Sequence, residues 1–160
     1  MEISEIIYPS TTKTDKKKHQ DKGPWIIVLG DSHAHGYAEE LLHHVKQHFT
    51  VTVYVKPNAG LTELLNSAKE ETSKLTKKDT VIVLGGLMIL REICVEKNLT
   101  SIQKFLNAKQ HTNVTLIDVP LRYDLGKRPY INEEIMNYNR KIHTVNREIQ
   151  EFSISSSNNQ

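Results

Sequence analysis

The chain has 160 residues, a formal charge of +2 and one cysteine. That length suffices for one domain with one core, and so small a positive excess gives no general argument for nucleic acid or an anionic membrane as partner. The single thiol, Cys94, excludes an internal disulfide framework and a multi-thiolate metal site, and it fits a reducing compartment, cytoplasmic or nuclear.

Residues 1–23 read as a flexible polar arm. Glu2 and Glu5 interrupt the first residues, so no secretory leader is expected, and no segment is apolar enough to span a bilayer. Lys16, Lys17 and Lys18 form a basic cluster. A solvated tail is the simpler reading, and a nuclear-import or nucleic-acid contact is the alternative. Residues 24–152 carry the ordered pattern, and 153–160 form a serine- and asparagine-rich tail expected to be disordered.

Four short runs rich in branched residues predict strands at 25–29, 51–55, 80–84 and 114–118. Three are nearly continuous in hydrophobicity, as parallel strands covered on both faces should be. The second alternates and suits a position nearer an edge. Helical stripes fill the gaps. Ala38, Leu41, Leu42, Val45 and Phe49 form the first, and Leu61, Leu64, Leu65, Ala68 and Leu75 the second. Ile89, Leu90, Ile93 and Cys94 suggest a short helix, and Ile102, Phe105 and Leu106 another. The last stripe is the most regular, through Ile131, Ile135, Tyr138, Ile142, Val145, Ile149 and Phe152. Its alternating spacing of four and three resembles a coiled-coil seam, but packing on the sheet is the better expectation for so short a run. Alternating strands and helices predict a three-layer α/β/α sandwich around a parallel sheet. Ligands of such sheets sit at the carboxyl ends of the strands, where the strand order reverses. The loops at 30–36, 56–60 and 85–88 should meet there, bordered by 120–124.

The first strand stops at Gly30-Asp31-Ser32 and passes into a helix. A serine at a helix N-terminus lies beside free N–H groups that favour developing negative charge, and this makes Ser32 a candidate nucleophile. Gly60, after the second strand, lets an N–H approach a ligand without an intervening side chain. Each feature alone is also an ordinary turn or cap signal, and Asp31 is expected to shape the turn by bonding loop backbone.

With Val28-Leu29-Gly30-Asp31-Ser32, then Gly60 within the 56–60 loop, then 83–89 after the third strand, the chain resembles the SGNH/GDSL hydrolases over residues 24–150. The segment 119–122 and the helix carrying Asn132 and Asn139 also look like that family. The resemblance implies a flavodoxin-like fold and hydrolysis of esters, thioesters or acetylated sugars, with Ser32 as nucleophile and Gly60 and the Gly86 loop around the oxyanion. Where the family places an oxyanion-hole asparagine, this chain has Met88, whose thioether cannot donate a hydrogen bond. The family's closing Asp-x-x-His block after a fifth strand has no counterpart, so the usual general base is missing.

Eight histidines could substitute. His43, His44 and His48 sit late in the first helix. His143 is expected about 17 Å along the last helix at ~1.5 Å per residue, running away from the strand ends. His33 is adjacent to Ser32 and poorly placed to face it, while His35 could cap the turn or face a ligand. His33 and His35 with Asp31 make a weak metal signal, and no metal or other cofactor is expected. Asp118 and Asp124 are the remaining carboxylates near the cleft, and Arg122 either pairs with Asp124 or meets an anionic ligand. Without a fifth strand, 114–118 becomes an open edge. A second copy, another chain or the folded-back tail is expected to complete it. Three functional readings follow: a hydrolase-like domain with impaired or lost activity, a competent esterase with an unusual base such as His35, and a protein- or RNA-binding module on the same fold.

Overall fold

The computed structural model describes residues 4–8, 23–31, 34–45, 49–56, 59–84, 95–123 and 129–157. Five strands form one sheet: β1 (Ser4–Tyr8), β2 (Trp25–Gly30), β3 (Thr50–Val55), β4 (Thr80–Leu84) and β5 (Asn113–Ile117). Their spatial order is β1-β3-β2-β4-β5. The four strands β2 to β5 pair in parallel, as the alternation of apolar runs and helices predicts. Helices α1 (Ala34–Val45), α2 (Leu61–Ser67), α3 (Val95–Ala108) and α4 (Pro129–Ser157) complete the three layers, with a 3-10 turn at Glu71–Lys74.

Strand alternation sorts the core into two clusters. On one face α1 sets Ala34 and Ala38 against Ile26, Val28, Val51, Val53 and Val55. On the other, α2, α3 and α4 cover Ile27, Leu29, Tyr54, Val81 and Val83 with Leu64, Leu65, Ile102, Phe105, Ile135, Tyr138 and Ile142. Each fully buried aliphatic side chain stabilises by about 1.5–3 kcal/mol relative to exposure. The stripe of α4 joins this second cluster through Ile149, beside α3.

Three features differ from the sequence expectation. Ser4–Tyr8, within the expected polar arm, forms β1 and pairs antiparallel with β3, from Ser4↔Val55 to Tyr8↔Val51. Consequently β3 lies one strand in from the edge, and every residue from Val51 to Val55 is buried. The alternation there reflects two buried faces of different composition, since Tyr54 joins one cluster while Val51, Val53 and Val55 join the other. Finally, α4 continues to Ser157, through most of the polar tail.

The amino ends of β2, β4 and β5 are tied by Asp79. Its Oδ1 accepts the Trp25 N–H at 2.8 Å, and its Oδ2 accepts the Thr76 N–H at 2.6 Å and hydroxyl at 2.8 Å. The Asp79 carbonyl accepts the Thr112 hydroxyl, the Asn113 side-chain amide and the Asn113 N–H at 3.0–3.2 Å. This knot stands at the end of the sheet opposite the candidate site.

Candidate functional site

The strand order reverses at β2. Its next strand in sequence, β3, lies on one side, and β4 lies on the other. A crevice between the carboxyl ends of β2 and β4 is therefore the place where this topology offers a ligand site. The register sets those ends level, with Gly30 opposite Val55 and Leu29 opposite Val83.

Gly30 is required by packing. A Cβ there would stand 2.8 Å from the Ala34 Cβ and 3.2–3.3 Å from two Leu84 atoms. The missing side chain lets the start of α1 and the end of β4 close onto the end of β2. The Ala34 N–H donates to the Asp31 carbonyl at 3.0 Å, linking the end of β2 to the start of α1. Asp31 is buried at 9% exposure. Ser32 and His33 lie outside the described residues, as does the side chain of His35, whose backbone is in the first turn of α1.

Beside this turn, the Lys56 N–H donates to the Gly30 carbonyl at 3.2 Å, and the Ala59 N–H to the Lys56 carbonyl at 3.2 Å. The Lys56 ammonium meets Glu63 Oε1 at 2.7 Å, tying the loop to α2. That contact holds the Glu63 carboxyl below the usual glutamate range, first by hydrogen bonding and then by charge. Gly60 precedes α2 with φ −67° and ψ 157°. Among the described residues nothing lies within 4 Å of where its Cβ would stand. Backbone strain does not explain glycine at this position, and no described residue crowds it.

Gly86 and Met88 lie outside the described residues, as do Asp124 and Cys94. On the far side of the rim, the segment after β5 runs alongside α4. The Asn139 side-chain amide accepts from the Val119 N–H at 3.0 Å and donates to its carbonyl at 2.9 Å. Asn132 does the same for Arg122, at 2.7 and 3.0 Å. The spacing explains the fit, because seven helical residues rise ~10.5 Å and three extended residues span ~10 Å. Two asparagines two turns apart thus match two peptide units three residues apart.

This register corrects the placement expected for His143. Helix α4 begins beyond the strand ends and returns past them, so His143 comes level with the end of β5. Its Nε2 lies 3.0 Å from Asp118 Oδ1 and 3.1 Å from Oδ2, with both side chains about half exposed or more. This Asp–His pair is not legible from spacing, since its members are 25 residues apart in sequence. The asparagine pair had one signal, its seven-residue interval on one helix face. Arg122 is positioned through its backbone by Asn132.

Among the described residues, no group of three His, Cys, Asp or Glu side chains could hold a metal ion. No described helix is long and apolar enough to cross a membrane. No family model matches the chain, and no curated protein matches it.

Proposed function

We propose that this chain is an acyl-hydrolase-like domain of SGNH/GDSL type, acting on small esters or acylated compounds through Ser32, with turnover impaired or lost. The observation carrying the reading is the Gly30 junction. There β2 ends against Leu84 and α1 at the point where strand order reverses, which supports reading the sequence Gly30-Asp31-Ser32 as a motif beside the crevice. The open position at Gly60, on the adjacent strand's exit, fits a surface left clear for a ligand.

Impairment is supported from two directions. Met88 replaces the expected amide donor, and loss of one oxyanion donor typically costs about a hundred- to a thousandfold in turnover. The His143 ring meets Asp118 at the end of β5, two strands away from β2. At ~4.8 Å per strand that offset is roughly 10 Å, far beyond the reach of a general base in contact with its nucleophile. Hydrolysis of a short-chain nitrophenyl ester, compared with Ser32→Ala, tests the reading. Turnover no faster than about a thousandth of a competent esterase is expected, with little labelling by a fluorophosphonate. Brisk turnover abolished in Ser32→Ala would return the chain to the competent esterases.

A further inference from the structure

The open edge of the sheet points to a specific partner. β5 is the terminal strand, and its exposure alternates, with Asn113, Thr115 and Ile117 exposed and Val114 and Leu116 half-buried. Val114 and Leu116 pack toward the α4 cluster, so Thr115 and Ile117 lie on the opposite face. The Asn113 N–H donates to the Asp79 carbonyl, just before β4. Peptide direction alternates along a strand, so residues 113, 115 and 117 bond toward β4. The N–H and C=O groups of Val114 and Leu116 then face outward. The strand contains no charge and no proline, the two commonest devices that keep such an edge from pairing.

We propose that β5 pairs antiparallel with β5 of a second copy of this chain about a two-fold axis at Thr115, making one continuous sheet. Val114 then faces Leu116 of the second copy and exchanges both backbone hydrogen bonds with it. Thr115 faces its own equivalent in the closer, non-hydrogen-bonded kind of pair. The choice of a second copy rests on charge. The carboxyl end of the edge carries Asp118, which is 49% exposed. The amino end carries exposed Lys77, whose carbonyl accepts from the Asn113 side chain at 2.7 Å. Antiparallel pairing brings each Asp118 toward the other copy's lysine end, twice by symmetry. A parallel copy would set Asp118 against Asp118. A five-residue ribbon is a small contact, so the dimer belongs to the weak class of interfaces below about 1,200 Å².

Sedimentation of the full chain tests this. The wild-type chain is expected to dimerise at tens to hundreds of micromolar, consistent with so small an interface. Thr115→Lys and Thr115→Glu each place like charges across the axis and should sediment as monomers, while an equimolar mixture regains the dimer. Thr115→Cys gives an independent readout, since oxidation should link two chains through position 115 on peptide mapping. A wild-type chain that stays monomeric overturns the proposal. A dimer indifferent to both charged variants, or a Thr115→Cys chain that forms no such link, does so too, and then a foreign partner or another surface is the occupant.

Discussion

Two glycines near the candidate site carry opposite structural meanings. Gly30 sits where a Cβ would collide with Ala34 at 2.8 Å, so Gly30→Ala must push α1 from the end of β2. Overpacking of this kind costs about 1–3 kcal/mol. Gly60→Ala meets open space at an ordinary φ and should leave stability unchanged or raise it by up to about 1 kcal/mol through the unfolded chain. Urea midpoints at unchanged m-value separate the two. If Gly60→Ala nevertheless lowers the already weak fluorophosphonate labelling of Ser32 further, the glycine serves the ligand and not the fold. Two buried hydroxyls point the other way. Among the described residues Thr52 Oγ1 and Tyr138 Oη have no hydrogen-bond partner, and burial drives the Tyr138 phenol far above its usual range. Thr52→Val and Tyr138→Phe should each raise stability by about 1 kcal/mol, because an unsatisfied buried polar group costs about 1–3 kcal/mol. An unchanged or lower urea midpoint in both would show that these hydroxyls are satisfied in solution.

Between elements, the asparagine lock on α4 replaces a sheet neighbour beyond the end of β5. Asn139→Ala leaves the Val119 peptide without its two side-chain bonds, and Asn132→Ala does the same at Arg122. Each should cost about 1–2 kcal/mol on the scale of lost hydrogen bonds. Hydrogen exchange gives the finer test. Asn139→Ala should speed exchange at the Val119 amide while Arg122 stays protected, and Asn132→Ala should do the reverse. Equal acceleration at both would mean that α4 as a whole, and not each amide, holds the segment. The contrast with the stripes is instructive. Ile135, Tyr138 and Ile142 announce their shared face by spacing, so the packing of α4 is legible from the sequence. Asn132 and Asn139 offer only their seven-residue interval, because their partners are peptide groups 10 and 20 residues away, respectively, that no side-chain pattern marks. The same blindness displaced His143, since the start of α4 depends on how the chain from Val119 to Arg122 lies along it. β1 was hidden for a related reason. Ser4–Tyr8 is short and lies in polar surroundings, and its partner β3 begins at Thr50.

Across the whole molecule, the two ends of the sheet are built for different tasks. At the carboxyl ends lie the Gly30 junction of β2 with α1, the Gly60 position and the exposed Asp118–His143 pair. The amino ends converge on one buried carboxylate, Asp79, which joins β2, β4 and β5. Burial pushes the Asp79 carboxyl upward, but the hydrogen bonds from Trp25 and Thr76, helped by the charge of Lys78, outweigh it and hold the group below the usual aspartate range. A depressed native pKa means that the unfolded chain binds the proton more readily. The stabilisation is therefore complete above the unfolded value of about 3.9 and is lost as pH falls through the lower native value. Asp79→Asn removes the titration and one of the acceptor functions together. It should unfold at lower urea than wild type at pH 7, and the gap should narrow as pH drops from about 4 toward 2. Urea midpoints of both proteins across that window provide the check. A gap that stays constant would mean that Asp79 acts by shape and hydrogen bonding alone, and that its charge contributes nothing to holding the three strands together.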